Sequence, residues 1–336
     1  MEVKENFNLK AYNTFAVDVK CKYFVESDKG EDFAEFAKAY DLSRENVLVL
    51  GGGSNLLFTE DFDGVVLYPS MRGFRVEDDD DESVRVSVGS GEVWDDFVEW
   101  AVEHGYGGVE NLSLVPEHVG ATPVQNIGAY GVEAGETIKR VEAVDLISGE
   151  KVEIGAEDCR FGYRDSIFKH EWRNRFVVTR VTYCLTKRPE FRLDYGNVRE
   201  EVLKMGEVSL RHVREAITRI REAKLPDVNV LPNAGSFFKN PVVGEREAET
   251  LRAKYPELPV YAAKEGGVKL AAGWLIEQAG WKGRAHGHAA VHDKQALVLV
   301  NRGGATGIEI ARLANEVKKA VFMRFGVVLE PEVNII

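Results

Sequence analysis

Residues 115–131 limit what this chain can fold into more than any other stretch. The run Val115-Pro116-Glu117-His118-Val119-Gly120-Ala121-Thr122-Pro123-Val124-Gln125-Asn126-Ile127-Gly128-Ala129-Tyr130-Gly131 holds three glycines, two prolines and two amides in seventeen residues, with little charge. Such a composition makes a poor helix and a poor strand, because proline removes a donor and glycine costs backbone entropy. It makes a good fixed loop, in which small residues let backbone approach a large flat ligand. A second glycine run, Gly51-Gly52-Gly53-Ser54-Asn55, follows the short apolar stretch Val47 to Leu50. It fails two nucleotide-binding patterns. Leu56 stands where a dinucleotide fingerprint needs its third glycine, and the lysine of a P-loop is missing. Two readings remain: an ordinary turn, or a turn whose backbone N–H groups reach a pyrophosphate, with Ser54 and Asn55 as added donors.

Around these runs the pattern alternates helix and strand. Phe33, Phe36, Ala37 and Tyr40 mark an amphipathic helix, and Val65 to Tyr68 a strand. Glu77 to Glu82 is six consecutive acids, expected as a solvated hairpin loop before the alternating strand Val84 to Val88. Val93, Phe97, Trp100 and Ala101 mark a helix ending near Gly105. Ser148-Gly149 signals a hairpin between Val141–Leu146 and Lys151–Ile154. Val177 to Leu185 reads as a strand, and Val213, Ala216, Ile217 and Ile220 as a helix closing before Pro226. Val268 to Ala279 reads as helix stopped by Gly280, and Ala296 to Val300 as strand. Thr306-Gly307-Ile308-Glu309 predicts a capping box that opens a helix to Arg324.

The chain of 336 residues has room for two or three domains. A formal charge of −12 argues against nucleic acid as the main partner, since phosphate backbones need a basic footprint. Cys21, Cys159 and Cys184 form no C-x-x-C pair and read as reduced structural thiols. The first residues lack the apolar core of a signal peptide, and no apolar run is long enough to cross a bilayer. The expectation is a cytoplasmic monomer with no membrane partner.

The run 115–131 resembles the FAD-binding loop of the UDP-N-acetylenolpyruvoylglucosamine reductase family, also called UDP-N-acetylmuramate dehydrogenases. Leu50 to Phe58 resembles that family's first pyrophosphate turn, and Asn13-Thr14-Phe15 its N-terminal signature. Further blocks follow in the same order over nearly the whole chain. The resemblance implies an α+β architecture: an FAD-binding fold of the vanillyl-alcohol-oxidase type, made of two α+β subdomains, plus a C-terminal α/β substrate-binding domain. The expected division is 1–70 with 327–336, then 71–225, then 226–326. It also implies that NADPH reduces FAD, which then reduces the enolpyruvyl group of UDP-N-acetylglucosamine enolpyruvate in peptidoglycan synthesis.

An enol ether accepts hydride only if charge can flow into the neighbouring carboxylate. The site therefore needs cationic or hydrogen-bonding groups there, and an acid near the other carbon. By resemblance, Arg164 in Phe161-Gly162-Tyr163-Arg164-Asp165-Ser166 stabilises the growing charge. Ser236 in Asn233-Ala234-Gly235-Ser236-Phe237-Phe238-Lys239-Asn240-Pro241 gives the proton. Glu332 in Leu329-Glu330-Pro331-Glu332-Val333 acts with Arg164. Without these blocks the bland readings would win: an arginine paired with Asp165 or Glu157, a turn serine, and a surface acid near a chain end. The resemblance assigns cofactor contacts to Gly51, Gly53, Ser54, Asn55, Pro116, Gly120, Thr122, Val124, Ile127, Gly128 and Arg221. It assigns substrate contacts to Tyr163, Tyr195, Lys224, Lys239, Asn240 and Gln295, with Tyr195 matching the mobile tyrosine of the long-form members.

The chain departs from the family at one point. Pro116 is followed by Glu117 and His118, where the family tends to have Pro-Gly. A carboxylate beside a pyrophosphate is unfavourable, so Glu117 is expected to turn away. His286, His288 and His292 have spacings that can bind zinc, but they read better as polar surface histidines, and no metal is expected. The competing functions are an FAD-linked oxidase of the same binding fold and a non-catalytic UDP-sugar or flavin-binding protein.

Overall fold

The alternating residues Val84, Val86 and Val88 are fully buried on one face of strand Ser83–Gly89. In the computed structural model, which describes residues 1–263 and 266–336, that strand sits in a five-stranded antiparallel sheet. Its order is Glu150–Gly155, Ile138–Asp145, Phe176–Thr186, Ser83–Gly89, Phe74–Asp79. Helix Trp94–Glu103 lays Trp94, Phe97, Val98 and Ala101 into the same core as the valines, with Tyr183 and Leu185 from the central strand. A second sheet has the order Glu2–Asn8, Lys20–Ser27, Phe62–Pro69, Asn46–Val49. Its last three strands run parallel. Helix Gly30–Ala39 buries Phe33 and Phe36 in a core shared by Val25, Val65 and Leu67 of this sheet and Val144 and Val177 of the other.

Both sheets belong to a unit formed by residues 1–7, 21–53 and 62–223. The same unit contains helix Leu210–Lys224 up to Ala223. Its Val213, Ala216, Ile217 and Ile220, at helical spacing, pack with Leu193, Val198 and Val202. This packing sets the direction of Arg221, on the helix's last turn.

Residues 8–20, 54–61 and 224–336 form the other unit. Its main sheet is antiparallel, with the order Asn233–Ser236, Val298–Asn301, Ala289–Val291, Ala285–His286. Helix Gly307–Phe325 has the full capping box between Thr306 and Glu309, and ends on Gly326 at φ +73°. It buries Ile310, Leu313, Ala314, Val317 and Val321. Strand Leu56–Leu57 pairs in parallel with Asn334–Ile335, so the segment after the glycine turn is fastened by the end of the chain. Asn13 fastens the early segment, donating to the carbonyls of Leu9 and Val17 and accepting from the Val17 N–H.

Four local expectations need correction. Val268–Leu270 is a strand, paired on one side with Val242–Val243 and on the other with Val260–Ala262, and helix begins only at Ala272. Partners distant in sequence override the local helical pattern there. In the acidic run, Phe74–Asp79 is strand and only the following residues turn, where the Asp80 carboxylate accepts from the Glu82 and Ser83 N–H groups. The strand expected from Ala296 begins at Val298, after a turn closed by Val298 N–H to the Gln295 carbonyl. Inside the 115–131 loop, Thr122–Gln125 forms a single helical turn with Pro123 in its first turn, where a missing N–H costs nothing.

Candidate active site

The two glycine-containing loops meet in the first unit. Gly51 leaves strand Asn46–Val49, and Gly53 takes φ +66°. The second loop is pinned by backbone bonds to the turn before helix Trp94–Glu103: Trp94 N–H to the Glu117 carbonyl, Val119 N–H to Glu92, and Gly120 N–H to Ser90. Pro116 is exposed and Ile127 buried. The Thr122 hydroxyl faces inward, donating to the Val119 carbonyl and sharing a 2.5 Å bond with the Tyr183 hydroxyl. Any contact of Thr122 with a cofactor would therefore come from its backbone.

Arg164 is held by ties into this loop. It occupies a tight turn in which Gly162 and Asp165 exchange backbone bonds, at φ +56°. A non-glycine residue in that region costs about 1–3 kcal/mol and persists only where the surroundings enforce it. Three side chains do so. Asn126, itself left-handed at φ +42°, donates to the Gly162 carbonyl at 2.8 Å and accepts from the Gly135 N–H at 2.9 Å. Ser166 donates to the Val124 carbonyl at 2.7 Å, and Lys169 to the Arg164 carbonyl at 2.7 Å. The Arg164 guanidinium lies against Gly128, where a Cβ would stand 2.7 Å from its Nη1. A side chain at that position would have to displace the cation. Tyr163 lies beside it, with the guanidinium carbon 5.6 Å from the ring centre. Asp165 turns instead to His170, at 2.7 Å.

A second cation approaches the same loop. The Tyr130 hydroxyl stands close to the Arg221 guanidinium. Burial pushes Arg221 below its ordinary value, Tyr130 and Asp95 oppose that, and the charge of Arg164 adds to it. Burial raises Tyr130. Tyr130 also sets its ring edge-on to Tyr195, with centres 5.8 Å apart. Asn111 donates to both the Tyr130 and Arg192 carbonyls at 2.9 Å, fastening the loop to the base of the Tyr195 segment. Tyr195 itself is 48% exposed.

The second unit collects the other candidates. Ser236 ends strand Asn233–Ser236 opposite Val298. The next residue, Phe237, accepts the Glu332 N–H at 2.8 Å, Phe238 bridges Pro331, and Lys239 N–H donates to the Glu330 carbonyl at 2.9 Å. Glu332 therefore pairs with the residue next to Ser236, although 96 positions separate the two in sequence. Phe237 N–H in turn donates to the Leu297 carbonyl, which brings the Gln295 turn alongside. Gln295 donates its backbone N–H to His292 Nδ1 at 3.2 Å. The Asn240 side chain accepts the first free N–H of helix Ala272–Gln278, that of Ala272, at 3.0 Å. Ser54 and Asn55 fall in this unit, the Asn55 carbonyl accepting two bonds from Asn334. Lys224 is exposed at its helix end.

Two of the three histidines find ordinary neighbours: His286 meets Glu316 at 3.0 Å, and His292 lies 3.4 Å from Asp293. Among the described residues no cluster of His, Cys, Asp and Glu could hold a metal, and no helix is long and apolar enough to cross a membrane. Burial pushes the thiols of Cys21 and Cys159 up to about 11 and about 12, so both stay protonated. Sequence reasoning passed over Asn126, Tyr130 and Asn111. The first two lie inside the loop it singled out, and for Asn126 an amide two residues before a glycine was the available signal.

Residues 21–155 match the FAD binding domain model, and residues 226–336 match the UDP-N-acetylenolpyruvoylglucosamine reductase C-terminal domain. A UDP-N-acetylenolpyruvoylglucosamine reductase of Flavobacterium johnsoniae is 44% identical over the full length of both chains. The chain belongs to the UDP-N-acetylenolpyruvoylglucosamine reductase family. A Pseudomonas aeruginosa reductase of this family is 47% identical, covering 100% of this chain and 99% of its own. The solved reductase of Thermus caldophilus aligns over 99% of this chain and 98% of its own, with TM-score 0.68 and 24% identity. As the family implies, the chain is a flavin-dependent oxidoreductase of α+β architecture whose cofactor is FAD. The residues present fit that group. Gly120, Ala121, Gly128 and Ala129 line the loop with small, half-buried positions. The buried Nε of Arg221 has no hydrogen-bond partner, a donor suited to an acceptor on the cofactor.

Proposed function

We propose that this chain reduces UDP-N-acetylglucosamine enolpyruvate to UDP-N-acetylmuramate, with Arg164, Ser236 and Glu332 as its catalytic residues. FAD, when bound, supplies the hydride chemistry that links NADPH to the enolpyruvyl group. Arg164 receives the charge that grows on the substrate carboxylate, since a guanidinium stays protonated at every working pH and its fork matches a carboxylate. Ser236 holds the proton that goes to the adjacent carbon. A hydroxyl is a weak acid, but an enolate-like dianion is a strong base, so placement matters more than acidity. Glu332 acts on the same intermediate. The observation that supports this reading best is the backbone pairing of Glu332 with Phe237, because it draws two distant family blocks together within one unit.

Tyr195, Tyr163, Lys224, Lys239, Asn240 and Gln295 are assigned to the substrate, with Tyr195 closing over its diphosphate. Gly51, Gly53, Ser54, Asn55, Pro116, Gly120, Thr122, Val124, Ile127, Gly128 and Arg221 are assigned to FAD. The division into 1–70 with 327–336, 71–225 and 226–326, a monomeric state and a cytoplasmic location complete the proposal. The test is anaerobic. NADPH should bleach the yellow protein, and the enolpyruvyl UDP-sugar alone should restore the colour. Bleaching without recovery on that substrate would refute the assignment.

A further inference from the structure

Glu117 does not turn away from the glycine turn, as its charge led the sequence reading to expect. It is 4% exposed and reaches into that turn. Its Oε1 accepts the Gly52 N–H at 2.5 Å and the His118 N–H at 2.9 Å, and its Oε2 accepts from Gln125 Nε2 at 3.2 Å. One side chain thus joins residue 52 to residues 118 and 125, across both loops assigned to FAD. A Cβ at Gly51 would lie 2.8 Å from Oε1, and one at Gly52 2.9 Å. These two glycines therefore admit the carboxylate, whatever else they admit.

The energetics favour a structural tie. A buried carboxylate is stable only when donors converge on it, and here two peptide N–H groups and an amide do so. Deleting it would strand those donors, and a buried donor left without an acceptor pays its full desolvation cost. Its negative charge brings no comparable advantage, since it stands near the turn assigned to an anionic diphosphate. Length, not charge, is what the position requires.

We propose that Glu117 is a positioning residue for the cofactor: it sets the spacing between the Gly51–Gly52 turn and the 117–125 loop before FAD binds. The proposal rests on the reading of these two segments as the FAD loops. The test titrates FAD into flavin-free chain by fluorescence quenching, with melting temperature and hydrogen exchange of the Gly52 amide read on the same samples. Glu117→Gln keeps the length and an acceptor oxygen but drops the charge. It should bind FAD within about threefold of the unaltered chain and keep the Gly52 amide protected. Glu117→Asp keeps the charge but is one methylene short. It should bind about tenfold more weakly, with Gly52 exchanging faster, while flavin-free Asp and Gln variants melt within about 3 °C of each other. Glu117→Ala should match or exceed the loss in Asp. Should Ala not fold, the Gln and Asp pair decides alone. Equal affinity in Gln and Asp, or tighter binding in Ala or Gln than in the unaltered chain, would overturn the proposal. Failure of the unaltered chain to bind FAD at all would instead sink the flavin-loop reading beneath it.

Discussion

The two units fix their candidate residues by different means. In the first, Arg164 stands in a left-handed turn held by the side chains of Asn126, Ser166 and Lys169. In the second, Ser236 and Glu332 are set by backbone bonds, through Val298, Leu297 and the Phe237–Glu332 pair. A geometry held by side chains can be lost by one substitution. A geometry held by a backbone ladder survives almost any single side-chain change. The first unit should therefore couple its activity to stability at particular residues, and the second should separate them.

The largest effect expected from that difference is in Arg164→Ala. Substrate reduction should fall about a thousandfold, as when a preorganised charge stabiliser is removed. Alanine keeps the same left-handed backbone, and the ties from Asn126, Ser166 and Lys169 reach backbone groups that remain, so stability should be nearly unchanged; single-turnover kinetics and melting curves check both. Next comes Asn126→Ala, which strands the Gly135 N–H and frees the Gly162 carbonyl. It should cost about 2–3 kcal/mol in denaturant unfolding and slow substrate reduction as well. Removal of the Ser236 or Glu332 side chain in the second unit should not do both. If Asn126→Ala loses activity without stability, the contrast is broken.

Tyr195→Phe sharpens the comparison at a smaller scale. Tyr195 touches Tyr130 ring to ring, a contact the phenylalanine keeps, so only its hydroxyl is tested. Substrate KM should rise several-fold with kcat little changed. An unchanged KM would count against a clamp. The smallest effect concerns Asp145, whose carboxyl is held below the ordinary range chiefly by its bonds to Arg175. A depressed carboxylate adds stability above its unfolded value of about 4, and loses it as pH falls through the folded one. Asp145→Asn should destabilise by about 1 kcal/mol at pH 7, allowing for solvent around Arg175, and the gap should narrow toward pH 3. The measurement is melting temperature against pH. Because this tie lies in the sheet away from the loops, activity should not follow it.

What the sequence disclosed depended on how local the cause was. The helix Gly307–Phe325 was legible because its capping box lies within four residues. The strand Val268–Leu270 was not, because its partners at Val242 and Val260 supply the order. The candidate site was legible as separate blocks, each carried by family resemblance, while the ties between blocks were hidden. Asn126 reaches a carbonyl 36 positions away, and Glu117 an N–H 65 positions back. Glu117 was misjudged for a physical reason. Its charge was weighed against a phosphate, but the buried N–H groups that need an acceptor could be seen only in the fold.

Anaerobic rapid-mixing kinetics of Ser236→Ala test the central claim most directly, because they separate the two half-reactions. Loading of the flavin from NADPH should proceed at nearly the unaltered rate, while its discharge to the enolpyruvyl UDP-sugar should slow by about three orders of magnitude or more. Equal slowing of both steps, or a discharge rate left intact, would contradict a serine hydroxyl as the proton source.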